Sequence, residues 1–211
     1  SGGTLKTANV NGFYNGTDAS ATLEPEVFST NTREMDFFLD ANSTIEYNGT
    51  ADQICTGKFP TTLPGTPTAA ASDVATGTAA QYKYGILKIN HQGTLGTNKV
   101  QPANLDNVFV RTQLDLTLGE YDLSSSTTGR TLTVESGATT AITSGANGYL
   151  KSEMAAASNT AVLSWIIGAT TGAHVVPFGL YSGGVVKLPV TFNNAVASGT
   201  VSFSTRATAG S

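Results

Sequence analysis

An alternation of apolar and polar residues runs through the middle of the chain and predicts a β-strand. The apolar side chains share one phase at Val108, Val110, Leu114, Leu116 and Leu118. A period of two places them on one face of a strand, and we expect that face to be buried. Gly119 shifts the phase, and the alternation resumes with Tyr121 and Leu123 as the apolar pair. The shift predicts a strand that turns a corner at the glycine and continues.

Short strand-like segments recur on both sides of this strand. They extend from Tyr84 to about Leu150 at roughly nine- to twelve-residue spacing, with Gly or Asn between them. Regular short strands are typical of two architectures, the β-sandwich and the parallel β-solenoid. The corner at Gly119 favours the solenoid, although no strict repeat is present. We therefore predict an all-β chain whose residues 32–150 form a parallel β-solenoid-like or β-sandwich domain.

Residues 57–80 interrupt that domain. They contain Pro60, Pro64 and Pro67 and a long run of Thr, Ala and Ser. Large apolar residues are too few there to form a core, so we expect a surface loop that leaves one strand layer and returns to it.

Residues 151–211 are predicted to form a small antiparallel β-sandwich or sheet. Four apolar runs separated by short turns favour this interpretation: Val162–Ile167, Val175–Phe178, Val185–Phe192 and Val201–Phe203. Pro177 and Pro189 interrupt their runs, which places them at strand starts, edges or bulges.

Residues 1–31 are predicted to form an extended N-terminal arm. The segment is mostly small and polar, with isolated apolar positions at Leu5, Val10, Phe13, Leu23, Val27 and Phe28. Such residues are suited to docking on a sheet by strand addition. The sheet belongs either to a neighbouring copy, which gives a fibre, or to the arm's own chain, and the sequence leaves both alternatives open.

Several segments together resemble a known family. They are Ser43–Ile54, Tyr84–Ile89, Leu114–Leu123, Thr131–Val134, Gly148–Glu153, Leu163–Gly168 and Val176–Gly179. In these segments the chain resembles the repetitive surface proteins that Bacteroidetes-type bacteria export by type IX secretion. The resemblance implies a secreted or cell-surface location, a β-helix-like middle and a β-rich end, and it assigns no active site. That family usually carries a C-terminal sorting domain, and nothing after Arg206 resembles one, so we expect a processed chain or an excerpt.

Charge and composition remove several functional classes. Charged residues make up 12% of the chain and the formal net charge is −4, with Lys and Arg scattered singly, so nucleic acid is not an expected partner. No apolar run approaches the ~18 residues that a membrane-spanning helix needs, so we expect no membrane span. Cys55 is the single cysteine, and without a His or Arg nearby in sequence we interpret it as a buried small hydrophobe rather than a nucleophile.

The chain carries no local catalytic signature. His91 and His174 are the only histidines and form no metal-binding pair, and no nucleophile elbow, phosphate-binding loop or dinucleotide motif is present. We therefore assign no catalytic, cofactor-binding or metal-binding residue, expect no cofactor and predict that the protein is not an enzyme. Asp115, Glu120 and Asp122 share a polar phase, for which a solvated acidic face is favoured over a calcium site or a glycan-cleaving pair.

Aromatic residues keep a binding function open. The aromatic residues considered for a sugar-stacking platform are Tyr82, Tyr84, Trp165, Phe178 and Tyr181. Trp165 and Phe178 are expected in the core, whereas Tyr82 and Tyr84 share a strand phase and are candidate glycan contacts on an exposed face.

Three functions follow in order of preference. The first is a structural protein, extracellular or on the bacterial cell surface, that forms a homo-oligomer or homopolymer such as a surface layer or filament. The second is a carbohydrate-binding or adhesive module with glycans as partners. The third is a polysaccharide-degrading enzyme.

Overall fold

All of the regular structure is β-strand in the part of the chain that the structure describes. The computed structural model describes residues 2–12, 40–55, 83–103, 107–124, 130–154, 161–196 and 199–205, which contain no helix. The predicted all-β class is confirmed. In chain order the strands are β1 (Thr4–Thr7), β2 (Thr44–Tyr47), β3 (Gln53–Cys55), β4 (Lys83–Asn90), β5 (Lys99–Pro102), β6 (Val108–Asp122), β7 (Thr131–Val134), β8 (Ile142–Lys151), β9 (Val162–Gly168), β10 (Gly172–Val176), β11 (Gly179–Tyr181), β12 (Val185–Lys187), β13 (Val190–Asn194) and β14 (Gly199–Phe203).

Strands from successive coils pair in parallel and in register, and they form three columns. The first column stacks β1, β2, β4, β6 and β8, with a row of aliphatic partners at Leu5, Ile45, Leu87, Leu114 and Ile142. The second stacks β3, β5 and the ends of β6 and β8, and an isolated bridge adds Phe178 to it. The third stacks the starts of β4 and β6 on β7 and β9. A chain that visits three columns in turn is a parallel β-solenoid, the first of the two predicted architectures.

Strand β6 passes through all three columns and turns the predicted corner. Gly119 has a φ of +91°, a left-handed conformation that favours glycine, and a β-carbon there would lie 2.9 Å from His91 Cβ. The prediction that Leu118 is buried together with Leu114 and Leu116 is wrong for Leu118, which is partly exposed. Relative to β4, strand β6 contains one extra residue, Thr117, between Leu116 and Leu118, and one extra residue in a strand reverses the side-chain alternation.

The interior of the coils is the hydrophobic core, and it contains a small polar cluster. The hydroxyls of Tyr47 and Tyr84 are 2.9 Å apart, and Cys55 Sγ lies 3.5 Å from the hydroxyls of Tyr84 and Tyr121. All four side chains are fully buried. Burial of Cys55 is as predicted from the sequence.

Outward-facing residues of the first column form a row of alternating charge. Lys6, Glu46, Lys88 and Asp115 occupy equivalent positions in consecutive coils. Lys6 Nζ lies 3.4 Å from Glu46, and Lys88 Nζ lies 3.6 Å from Asp115. We call this row the charge ladder.

The first residues of the predicted arm dock on their own chain. Strand β1 pairs in parallel with β2, which half-buries Leu5, and the carbonyl of Val10 accepts a bond of 2.9 Å from Ile54 N–H while its side chain stays exposed. The segment that contains Leu5 and Val10 therefore docks on its own chain, that is, in cis. Phe13, Leu23, Val27 and Phe28, and the loop predicted at 57–80, lie outside the described residues.

Antiparallel strands follow the last coil, as predicted for the C-terminal region. Strand β9 pairs in parallel with β7 on one side and antiparallel with β14 on the other. Two antiparallel pairs, β10 with β13 and β11 with β12, complete the region. Pro177 lies between β10 and β11, and Pro189 lies directly before β13. The run Val185–Phe192, predicted as one strand, is therefore two strands that pair with different partners. Because β9 belongs to the same sheet as β7, pairing continues across the boundary predicted at residue 151.

Candidate functional site

The outer face of the second column carries a connected group of polar side chains. Tyr121 and Leu150 point inward there, so their neighbours in the period-two pattern point outward. Three coils supply the outward group in register: Lys99 from β5, Glu120 and Asp122 from β6, and Tyr149 and Lys151 from β8.

These side chains form one connected network. Lys99 Nζ donates to Asp122 Oδ2 at 2.8 Å, and the Tyr149 hydroxyl donates to Glu120 Oε2 at 2.6 Å. Lys151 Nζ lies between the two carboxylates, 3.5 Å from Glu120 and 3.6 Å from Asp122. Glu120 and Asp122 are buried, whereas the two lysines remain partly exposed. The network therefore pairs two buried anions with two cations that reach solvent.

The electrostatics keep Asp122 and Lys151 charged and the Tyr149 hydroxyl protonated. Burial acts to raise the pKa of Asp122, but hydrogen bonds from Lys99 and Ser124 and the charge of Lys151 hold it below its ordinary value. Burial acts to lower the pKa of Lys151, but the charges of Asp122 and Glu120 raise it above its ordinary value. Burial and the bond to Glu120 raise the pKa of the Tyr149 hydroxyl. Asp122, Lys151 and Tyr149 thus act as fixed charges and a fixed donor near neutral pH, an arrangement suited to binding rather than to proton transfer.

A cleft of about 190 Å³ opens beside this network. Its lining comprises Gly96, Thr97, Asn98, Lys99, Glu120, Lys151, Leu180 and Tyr181. One wall is the turn between β4 and β5, the floor is the second column, and the other wall is the hairpin β11–β12. The hairpin lies against the column at Gly179, where a β-carbon would be 2.9 Å from Tyr149 Cβ.

Tyr181 reaches across the cleft to the opposite wall. A β-carbon at Gly96 would lie 2.1 Å from Tyr181 Cδ1, so the ring rests directly against the backbone of the turn. The φ of Gly96 is +78°, which also favours glycine. Tyr181 remains 41% exposed, so one side of its ring contacts the turn while part of it faces solvent.

Of the residues that the sequence suggested, Glu120, Asp122 and Tyr181 belong to this network or its cleft, and the others do not. Tyr84 is fully buried in the core with its hydroxyl beside that of Tyr47, which corrects the expectation that it faces a glycan on the surface. Tyr82 lies outside the described residues. Asp115 lies in the first column, so the predicted acidic face is divided between two columns by the corner at Gly119.

The described residues contain no cluster of three or more His, Cys, Asp or Glu side chains that could hold a metal ion. His91 and His174 are both buried, with ring nitrogens 2.7 Å from Ala51 O and 3.0 Å from Gly137 O, respectively. Both histidines hold neighbouring backbone segments in place.

Sequence reasoning missed Lys99 and Lys151, whereas Tyr181 was among the aromatic residues considered for a sugar-stacking platform. The two lysines come from separate strands and show no fixed spacing, so no local motif marks them. The available signal was the outward phase of Glu120 and Asp122, which indicates a polar face but does not identify its cationic partners.

Comparisons with protein-family models, with curated proteins and with solved structures find no match. The described residues include no helix that is long and apolar enough to cross a membrane.

Proposed function

We propose that the chain is a structural subunit of the bacterial exterior, extracellular or on the cell surface, that assembles with copies of itself through edge strands. The observation that carries this proposal is the order of the large sheet: its longest path of paired strands runs from β1 to β14, with β3, β5 and β8 branching from it. Within the described residues, β1 and β14 each have a strand partner on one side only. An edge strand presents unpaired backbone N–H and C=O groups, which are a template for pairing with another chain.

The composition of β14 supports pairing at that edge. Natural edge strands are commonly protected by lysine, proline or inward charges, yet Gly199–Phe203 contains no charged residue and no proline. In β1 the charge of Lys6 is offset by Glu46 of its own chain, 3.4 Å away. Both edges therefore lack the strong charge that usually blocks strand addition.

A contact between β1 of one copy and β14 of the next would be heterologous. Such a contact does not close on itself, so its repetition extends the sheet from copy to copy and gives a filament. Pairing of β14 with β14 would instead be isologous and would stop at a dimer. The resemblance to exported surface proteins agrees with either form of extracellular assembly.

Two lysines placed on β14 test the proposal. Thr200→Lys with Ser202→Lys adds charge at two exposed positions of the edge, and Thr140→Lys with Thr171→Lys adds the same charge at exposed positions outside the strands. We expect the wild type and the control to form filaments in negative-stain images and large species in sedimentation, whereas the β14 variant stays monomeric. Circular dichroism and melting temperature verify that both variants fold.

Mixing separates the heterologous contact from the isologous one. The folded β14 variant retains an intact β1 edge, so small amounts added to the wild type should cap filaments and shorten them. A wild type that is monomeric at all concentrations, or a β14 variant that assembles like the wild type, would refute the proposal. Discrete wild-type dimers would refute the filament.

A further inference from the structure

We propose that the cleft beside the second column binds a single neutral sugar residue, with Tyr181 as its aromatic platform and Glu120, Lys99 and Lys151 as its polar contacts. The inference is independent of the assembly proposal, because the cleft includes no residue of β1 or β14. Four observations carry it: two well-anchored walls, a balanced charge, available hydrogen-bonding groups and the size of the space.

The turn that forms one wall is held by its own backbone and by the preceding coil. Thr97 N–H and Asn98 N–H both donate to Thr94 O, at 3.1 and 2.9 Å. Lys99 N–H donates to Asp52 Oδ1 at 3.1 Å, which ties the turn to the neighbouring coil. A wall fixed in this way does not have to be ordered when a ligand binds, which lowers the entropic cost of binding.

The hairpin that forms the other wall is anchored to β8 by Lys187 and closed at its own base. Lys187 Nζ donates to Gly145 O at 3.1 Å and also to Gly148 O, and both acceptors belong to β8. Leu188 N–H donates to Phe178 O at 2.7 Å and closes the base of the hairpin. Tyr181 is thereby held over the cleft.

The charge of the floor favours a neutral ligand. Lys99 and Lys151 line the cleft with two positive charges, which are balanced by Glu120, also in the lining, and by the buried carboxylate of Asp122 next to them. A strongly anionic or cationic ligand would disturb this balance, because it would repel one pair of groups that are already partnered.

The same groups have hydrogen-bonding capacity to spare. Lys151 Nζ lies 3.5 and 3.6 Å from its carboxylate partners, longer than the roughly 2.7–2.9 Å of strong charge-assisted bonds. Its hydrogens are therefore able to turn to a ligand hydroxyl, and Glu120 Oε1 is able to accept from a neighbouring hydroxyl. A donor and an acceptor side by side match the vicinal hydroxyls of a sugar.

The size and the aromatic wall define the ligand further. The volume of about 190 Å³ is below the roughly 300–1,000 Å³ of pockets for drug-sized ligands, so it fits one sugar ring and not an oligosaccharide. The electron-rich face of Tyr181 is suited to the C–H groups on one side of such a ring.

Saturation-transfer NMR with four methyl glycosides tests the site. The probes are the neutral glucoside, galactoside and mannoside and the anionic glucuronide. We expect saturation transfer to at least one neutral glycoside and weaker transfer to the glucuronide. Tyr181→Ala and Lys151→Met should each weaken binding by about tenfold, whereas Tyr181→Phe, which keeps the ring, should leave it nearly unchanged.

Val186→Ala is the matched control. Val186 lies on the same hairpin and is likewise 41% exposed, but it pairs with Leu180 and shares the side-chain phase opposite to Tyr181. The control should bind like the wild type. The proposal is overturned if no glycoside binds, if Tyr181→Ala binds as well as Val186→Ala, or if the glucuronide binds best. Failure of filament formation would not affect this result, since binding is measured on the monomeric β14 variant as well.

Discussion

The rings of Trp165 and His174 meet edge to face, with centroids 4.9 Å apart and planes at 80°. Trp165 Nε1–H donates to Ser136 O at 2.8 Å, and His174 Nε2 lies 3.0 Å from Gly137 O. Both rings therefore hold the same turn of the chain, one from β9 and one from β10. The contact joins the last coil to the antiparallel strands that follow it.

Trp165→Ala should strongly destabilise the fold. The side chain is fully buried, so its removal leaves a cavity, and the free energy of unfolding should fall by about 3–5 kcal/mol. Ile166→Ala is the control, because the neighbouring side chain on the opposite face is 38% exposed and should cost about 1 kcal/mol or less. Urea unfolding followed by circular dichroism measures both. Equal losses would contradict the assigned register of β9.

Leu116→Ala should cost about 2–5 kcal/mol, because Leu116 is fully buried between the coils. Leu118→Ala removes the same atoms from a partly exposed position beyond the bulge and should cost clearly less. Chemical unfolding of the two variants compares them directly. If Leu118→Ala were the more damaging change, the side-chain reversal at the corner would be wrong.

Cys55 should not react with thiol reagents while the protein is folded. Its side chain is fully buried, and its described neighbours include the hydroxyls of Tyr84 and Tyr121 at 3.5 Å. Absorbance after addition of a disulfide reagent should rise only when denaturant is present. Rapid labelling in native buffer would show that the core around Cys55 opens readily.

Asp122→Asn should reduce stability at pH 7 and flatten its acid dependence. The folded-state pKa of Asp122 is below its ordinary value, so its contribution is fully present above about pH 4 and is lost as pH falls through the folded pKa. We expect a loss of about 1–3 kcal/mol at pH 7, since a bond of 2.8 Å to a charged group is weakened. Melting temperatures between pH 7 and pH 2 measure the effect.

Asp115→Asn serves as the control for that experiment. The side chain of Asp115 is 26% exposed and its lysine partner is 3.6 Å away, so a smaller loss is expected from solvent-screened charges. An Asp122→Asn curve that parallels the wild type at every pH would show that the network does not stabilise the folded state.

Local signals in the sequence suffice for much of the fold. The alternation around Leu114 and Leu116 predicts a strand, and Gly119 predicts its corner, because both depend only on neighbouring residues. The apolar runs after residue 160 likewise predict β9, β10 and β14. Which column a strand joins depends on pairing between coils, which no short window of sequence contains.

Tyr84 illustrates that limit. The two-residue period of a strand indicates that Tyr82 and Tyr84 share a face, but it does not indicate whether that face is buried. One hydroxyl partner of Tyr84 is Tyr47, which is 37 residues away in the chain. A tyrosine whose hydroxyl is satisfied inside the coils has the same local sequence pattern as one at the surface.

The cleft was beyond prediction for a related reason. Its walls meet where Tyr181 rests on Gly96, and neither residue belongs to a motif. Their approach follows from the hairpin folding back along the column, which is a property of the whole stack of coils.

The charge ladder bears on how the coils find their order during folding. The aliphatic row beside it, from Leu5 to Ile142, would pack almost equally well if the strands stacked in a different order, because apolar contacts are not directional. The charge ladder does not tolerate a different order. A stack without β2 would place Lys6 opposite Lys88, and a stack without β4 would place Glu46 opposite Asp115. Like charges directly opposite each other on paired strands are destabilising. The alternation of charge thus destabilises any stack in which one of these coils is missing.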